Sequence, residues 1–489
     1  MEKRETIEVT LSKIGIGKFQ FLQLSLLIFV QSINTSIIWS IAFLGTILGC
    51  SWHITHVQES MLSMSLSFGL IIGSSAMGAF SDKYGRKPAM VMGNAVLLFF
   101  ELVSAASPTF GWILIMRFIV GIFISGTSSS SYALVSELTP SKYRGYFVII
   151  FQLSRPLGTF AITTFSFLVA SRLGWRAFLS IISMLLILVL MALIWVSESP
   201  RYLALHNQKQ KCLKLLNKIA KINKSQPIDD FDETISTKKS SFSDLIHSNY
   251  LSTTILLSFL SLVSGLFQYF AIVIVTIIDS IPHRCLQDMS TFSTNQDSNN
   301  ITADYSCCAQ MTWLSYKNLY ISSIGEFLAV PVSLFLIYFI GRKKLMAALY
   351  LVIFVVTFLL NFCLTSLQLV IVFFILRGTI SALLIINHMY GAEVYPTSVR
   401  STGFGFSNSC TKVGVLLSPL IVNILIAKYS FMGGIMLLAS LSFISIIICL
   451  FLPYETKDRQ LYQTVDNDYA NDKSNIPQEK PGYETLNKD

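Results

Sequence analysis

From Phe19 to Leu452 the chain is a succession of apolar stretches, each of about 18 residues or more and so long enough to cross a hydrocarbon layer of about 30 Å. Twelve are legible, near 20–46, 58–80, 89–107, 111–134, 146–170, 177–196, 251–279, 318–340, 345–364, 368–391, 402–427 and 431–452. With 53% hydrophobic and 13% charged residues over 489 positions, the chain is too apolar for a soluble globular domain. The first stretch lacks the charged start, short core and small-residue end of a cleaved signal peptide, so it is read as a spanning helix.

The same punctuation occurs twice. Gly85-Arg86-Lys87 returns as Gly341-Arg342-Lys343, and Glu137-x-x-Pro140-x-x-x-Arg144 returns as Glu393-x-x-Pro396-x-x-x-Arg400, both 256 residues on (85 to 341, 137 to 393). Each copy sits where an apolar run meets a cationic turn. The sequence therefore predicts an all-α membrane protein of twelve transmembrane helices, in two parallel pseudo-symmetric six-helix bundles.

Lys83, Arg86, Lys87, Lys142, Arg144, the lysine-rich segment 201–239, Arg342, Lys343, Lys344 and Arg400 all fall on one side of the predicted membrane. Arg172, Arg176, Arg284, Lys317 and Lys428 fall on the other, so the positive-inside rule places both termini in the cytosol. The net charge of +9 is then a signal of orientation and of attraction to anionic lipid in the bilayer. Nucleic acid is not an expected partner, because no soluble basic face with interleaved aromatics is visible.

The expected organisation is a cytosolic N-terminus (1–19), a first bundle (20–197), a cytosolic connector (198–250), a second bundle (251–452) with an external loop at 281–317, and a cytosolic tail (453–489). In the connector, His206 to Lys221 reads as an amphipathic helix with Cys212, Leu215, Leu216 and Ile219 on one side. The external loop carries the glycosylation acceptor Asn300-Ile301-Thr302, and Cys285, which is a candidate to pair with Cys307 or Cys308. Cys212, Cys363, Cys410 and Cys449 have no metal-ligand spacing and are expected as plain thiols.

The turn Gly78-Ala79-Phe80-Ser81-Asp82-Lys83-Tyr84-Gly85-Arg86-Lys87 resembles the signature of the major facilitator superfamily, G-x-x-x-D-[RK]-x-G-R-[RK]. The second copy departs from it, with Tyr338 at the aspartate position. Glu198-Ser199-Pro200-Arg201, Glu393-Val394-Tyr395-Pro396-Thr397 and Pro453-Tyr454-Glu455-Thr456-Lys457 look like the sugar-porter, organic-ion-transporter and synaptic-vesicle-protein branch. Lys142-Tyr143-Arg144-Gly145-Tyr146, Gly174-Trp175-Arg176 and Glu455-Thr456-Lys457-Asp458-Arg459 are most similar to the synaptic vesicle 2-related proteins, and the loop between spans 1 and 2 is too short for the external domain of organic cation and anion transporters. The resemblance implies alternating access and a charge latch made of Asp82, Arg86, Glu137, Arg144, Glu198 and Arg201 in the first half, with Arg342, Glu393, Arg400 and Glu455 in the second. The competing reading is that these are solvated interfacial charges.

Charges at membrane depth single out the candidate site. Arg155 is about 15 Å past the cytosolic Arg144 and Lys412 about 18 Å past Arg400, at nearly equivalent places in the repeat. An unpaired cation at that depth is expensive, so each must meet water, a protein anion such as Glu326, or an anionic or zwitterionic solute. Gln31, Asn34, Gln268, Tyr269 and Asn387 complete the candidate substrate site, with helix packing as the alternative for each amide. Arg117 and Arg377 read as structural or gating residues, His388 as a candidate proton-linked switch, and Glu326, ahead of Glu101, as the carboxylate that a coupling ion would use.

No nucleotide loop, dinucleotide glycine motif or metal-binding histidine pattern is present, so neither an enzyme nor a cofactor or metal is expected. The expected activity is secondary transport of a small organic anion or zwitterion. An organic cation or sugar is the alternative cargo, and a non-transporting receptor or vesicle protein the alternative class. In the tail, Gly482-Tyr483-Glu484-Thr485-Leu486 and Tyr462-Gln463-Thr464-Val465 resemble tyrosine signals read by clathrin adaptors, which predicts residence in an endosomal or vesicular membrane, or else in the plasma membrane.

Overall fold

The computed structural model describes residues 7–206, 208–228, 248–277, 313–395, 400–453 and 455–456, and within these the chain is helical. The first half holds α2 (Lys18–Trp52), α3 (His56–Tyr84), α4 (Arg86–Ala105), α5 (Phe110–Leu138) and α8 (Ser171–Trp195). Between α5 and α8 a single span, Ser141–Ala170, is assembled from a 3-10 turn at Ser141–Tyr143, α6 (Arg144–Phe151), α7 (Ser154–Phe165) and a π-helical turn. The second half holds α11 (Ser248–Ile277), α12 (Trp313–Phe339), α13 (Arg342–Leu359), α14 (Ser366–Val394), α15 (Arg400–Pro419), which continues as the π-helical Leu420–Tyr429, and α16 (Phe431–Phe451). Eleven of these twelve spans are long and apolar enough to cross a membrane. The twelfth, α13, has only 18 residues and opens on Arg342, Lys343 and Lys344.

Local chemistry fixes the helix ends. Thr55 and Thr365 cap α3 and α14 through T-x-x-Q boxes, the Gln58 and Gln368 side chains returning to the cap backbone. Gly85, at φ +109°, makes the break between α3 and α4 that an L side chain would resist, whereas its repeat mate Gly341 sits at an ordinary φ of −63°.

Packing repeats with the sequence. In the first half α3 lies on α5, α4 on α5 and α8, and α2 on α7; in the second α12 lies on α14, α13 on α14 and α16, and α11 on α15. In lipid this packing replaces hydrophobic transfer as the force between helices, so close backbone approach matters. A Cβ at Gly69 would collide with the carbonyl oxygen of Phe118, and one at Gly325 with that of Phe374. These two contacts are again 256 residues apart, a third instance of the duplication that the turn motifs reveal.

Two junctions join the halves: α3 against α15 and Leu420–Tyr429, and α7 against α12. At the basic end, where the Gly85 and Gly341 turns lie, α9 (Pro200–Leu205) and α10 (Lys209–Asn223) follow the first half. The amphipathic segment expected at His206 to Lys221 thus forms slightly later, burying Cys212, Leu216, Ile219 and Ala220 while Leu215 is half-buried. Asn223 Oδ1 accepts from Phe19 N at 3.1 Å and so caps α2. A helix the sequence reading did not place, α1 (Ile7–Ile14), buries Ile7, Leu11 and Ile14 and packs on α10 and the Ser141–Tyr143 turn.

Cys363 corrects an expectation. It is disulfide-bonded, not a plain thiol, while Cys212, Cys410 and Cys449 are free. The apolar run 345–364 places it inside a span, but α13 stops at Leu359 and leaves Cys363 on the turn before α14. Asn300, Cys285, Cys307, Cys308, Tyr462 and Tyr483 lie outside the described residues.

Candidate functional site

Arg155 and Lys412 each lie near the middle of a span and at different junctions, Arg155 on α7 facing α12, Lys412 on α15 facing α3. Both are half-buried. Lys412 Nζ donates to Ser125 Oγ at 2.8 Å and to the Leu70 carbonyl at 3.4 Å, both in the opposite half. These partners are neutral, so they satisfy its donors and leave its charge. The Arg155 guanidinium makes no hydrogen bond or salt bridge among the described residues, and it lies within electrostatic range of Glu326, Arg377 and Tyr132. His388, on α14, lies within electrostatic range of both Arg155 and Lys412.

Glu326 is not the partner of Lys412. Its Oε1 takes Arg377 Nε at 3.0 Å and Nη2 at 2.8 Å, and its Oε2 lies 2.9 Å from Thr159 Oγ1, one helical turn past Arg155 in the other half. Arg377 also donates to Ser322 Oγ at 2.9 Å. The other membrane-depth carboxylate, Glu101, is closed inside the first half, where Arg117 grips both its oxygens at 2.8 Å and adds Ser104 Oγ at 2.8 Å. Removing water from four such groups is tolerable because each charge meets its opposite, although Arg117 Nε is left buried without a hydrogen-bond partner.

The amides divide as helix ties. Gln31 Nε2 donates to Ser128 Oγ at 3.1 Å and Asn34 Nδ2 to Thr127 Oγ1 at 3.1 Å, joining α2 to α5. Asn387 Nδ2 donates to Ser261 and Ser264 at 3.2 and 3.3 Å, joining α14 to α11 in the equivalent place of the second half. Gln31 Oε1, Asn34 Oδ1, Asn387 Oδ1 and His388 Nε2 are left buried without a hydrogen-bond partner. Gln268 is half-buried with no hydrogen bond among the described residues. Tyr269 stands apart from the cations, sharing a 2.8 Å bond with Ser63 across the α3 junction.

Toward the end opposite the basic turns, further uncharged bonds cross between halves: Ser60 Oγ to the Pro419 carbonyl at 3.1 Å, Tyr320 Oη to Thr164 Oγ1 at 3.1 Å, and Ser166 with Tyr316 at 3.1 Å. At the basic end the charged motifs pair within their own half. Arg86 reaches Glu137 at 3.1 Å and also bonds Asp82, while Glu198 accepts from the backbone N–H of Arg86 at 3.0 Å. Arg342 reaches Glu393 at 3.2 Å, and Glu455 accepts from Arg342 N at 2.6 Å. Arg144 Nε donates to the Ser136 carbonyl at 2.9 Å, Arg201 is exposed, and the Arg400 side chain is outside the described residues. Ser125, Thr159, Ser63 and Tyr132, which the sequence reading passed over, are all hydroxyls on apolar helices. Only Thr159 carried a signal, its position one turn beyond Arg155.

Two bundles of six helices, each repeating the packing of the other and meeting at two lateral junctions, define a membrane transporter of the major facilitator fold. The chain belongs to the sugar (and other) transporter family, whose model matches residues 18–281, and the major facilitator superfamily model matches residues 310–470. It is similar to "Putative transporter SVOPL" of Mus musculus, 28% identical over 94% of this chain and 94% of that one. It is likewise similar to the synaptic vesicle 2-related protein of Xenopus laevis, 27% identical over 95% of this chain and 83% of the relative. Among solved structures, a partially occluded inward-open form of the xylose transporter XylE from E. coli matches 91% of this chain with a TM-score of 0.66 at 15% identity, a likeness of fold.

Proposed function

We propose that the chain moves a small organic anion or zwitterion by alternating access, holding it between Arg155 and Lys412. One observation carries this reading: two cations near mid-span, one from each half and both within electrostatic range of His388, have no carboxylate hydrogen-bonded to either among the described residues. An uncompensated charge at that depth costs at least about 2.5–3.5 kcal/mol, which an anionic group on the cargo would recover. In this arrangement the uncharged bonds close the end opposite the basic turns. With the basic end assigned to the cytosol by the positive-inside rule, the structure is then an inward-facing one.

Purified protein in liposomes, offered a mixed metabolite panel, is expected to show saturable uptake of an anion or zwitterion with trans-stimulation. Uptake of sugars or organic cations alone would reverse the charge preference. Stoichiometric binding without exchange of any member would favour a receptor or vesicle component on a transporter fold, a reading that the name of the synaptic vesicle 2-related relatives keeps open.

A further inference from the structure

The 256-residue repeat relates the two junctions, and their charges do not match. Lys412 and Arg155 occupy places one residue apart in the repeat, and their facing positions, Leu70 on α3 and Glu326 on α12, are repeat mates. At the first junction Lys412 therefore faces a leucine carbonyl and stands as one uncompensated positive charge. At the second, Arg155 faces a carboxylate, but Arg377 already holds that carboxylate with two hydrogen bonds, so two cations share one anion. The Glu101–Arg117 pair is neutral and closed inside the first half. Glu59, in the first turn of α3 at the end opposite the basic turns, lies 3.8 Å from His56 and belongs to that end. Among the described residues at mid-depth, four cations (Arg117, Arg155, Arg377, Lys412) thus meet two carboxylates (Glu101, Glu326). The surplus among these six groups is two positive charges, one at each junction.

We propose that the cargo is a dianion whose two acidic groups are spread along one small molecule, one taken by Arg155 and the other by Lys412. The inference rests on the anion reading above and narrows it. A dianion cancels the surplus at both junctions, whereas a monoanion or a zwitterion leaves one junction or both charged when water is excluded. Because one cation belongs to each half, the bridging dianion also ties the halves together. The loaded site is electrically neutral and the empty one is not, so the empty carrier reorients more slowly and exchange outpaces net efflux.

The test uses full-length protein in proteoliposomes, with glutarate, butyrate and alanine as a small dianion, monoanion and zwitterion, and their thermal shifts on purified protein as a transport-free readout. Glutarate is expected to compete for exchange and to stabilise the protein at least about tenfold better than butyrate. Arg155→Gln and Lys412→Gln are each expected to erase that preference, lowering glutarate exchange far more than butyrate exchange, and Lys412→Arg to keep it, which separates charge matching from misfolding. Equal use of glutarate and butyrate by the unaltered protein, or loss of both acids together in the Gln variants with the preference unchanged, overturns the dianion and leaves the anion reading intact. If only alanine exchanges or binds, the dianion falls and the reading above narrows to a zwitterion; if only neutral solutes do, both fall.

Discussion

The two ends of the molecule are held by different chemistry. Toward the end opposite the basic turns, the halves meet through uncharged hydroxyls and carbonyls: Ser60 with Pro419, Ser63 with Tyr269, Thr164 with Tyr320, Ser166 with Tyr316. At the basic end, guanidinium–carboxylate pairs form inside each half, Arg86 with Glu137 and Arg342 with Glu393. Uncharged hydrogen bonds contribute about 0.5–1.5 kcal/mol each and part without stranding a charge, which suits a contact that opens and closes in the alternating-access cycle proposed above. Ion pairs buried in the bilayer cannot part so cheaply, and the two found there among the described residues, Glu101–Arg117 and Glu326–Arg377, each close within one half. The contrast separates moving parts from fixed ones by chemistry.

The fixed parts give the largest expected effects. Arg117 and Glu101 are 0% and 1% exposed, so Arg117→Leu strands a carboxylate at a cost of about 3–5 kcal/mol. The measurement is yield of monodisperse protein, and near-complete loss is expected. Pairing it with Glu101→Gln is expected to restore most of the yield, since removing both charges removes the stranded one. A single variant that folds normally would show that the pair is not a fixture and would blur the distinction.

Some of this was legible in the sequence and some was not. The duplication was, because turn motifs carry glycine and charge at fixed intervals, and the Gly69–Phe118 and Gly325–Phe374 contacts keep the same interval deep in the helices. The depth of Arg155 and Lys412 was legible from residue counting alone. Which carboxylate Lys412 would meet was not. In a membrane the lipid-facing and core-facing sides of a helix are both apolar, so hydropathy does not fix rotation about the axis. Glu326 could therefore be assigned a depth but not a direction, and it turns to Arg377 on α14. The same muting hid Ser125 and Thr159. The α1 helix failed for another reason: at eight residues it is too short to stand out, although Ile7, Leu11 and Ile14 hold helical spacing.

The hydroxyl seal is expected to respond at an intermediate size. Tyr269→Phe removes one cross-half bond, the 2.8 Å contact with Ser63, while keeping the ring in place. A loss of about 0.5–1.5 kcal/mol shifts the balance roughly two- to tenfold toward opening at that end. Labelling of a cysteine introduced at Gln268 by a reagent applied from that side is expected to speed up by the same factor, with protein yield unchanged. Unchanged labelling would mean that the bond does not bear on closure, and collapse of the protein would place Tyr269 with the fixed parts.

The smallest effects belong to the basic end, where they sharpen the comparison by setting one half against the other. Arg86 bonds Asp82 as well as Glu137, whereas Arg342 has Glu393 as its side-chain partner and finds Tyr338, 73% exposed, where the repeat would place the aspartate. Partly exposed pairs of this kind contribute about 0.2–1 kcal/mol and weaken with salt. Glu393→Gln should therefore disturb the basic end more than Glu137→Gln, because Arg86 has a second carboxylate to fall back on and Arg342 does not. Read as the exchange rate at low and at high ionic strength, the Glu393 variant is expected to differ from the unaltered protein by less than about fivefold at low salt and to converge with it at high salt. Adding Tyr338→Asp supplies the missing fallback and should return the rate toward the unaltered value. If Glu137→Gln proves the more harmful, Asp82 does not share the load in the first half, and the asymmetry between the turns has another origin than the aspartate.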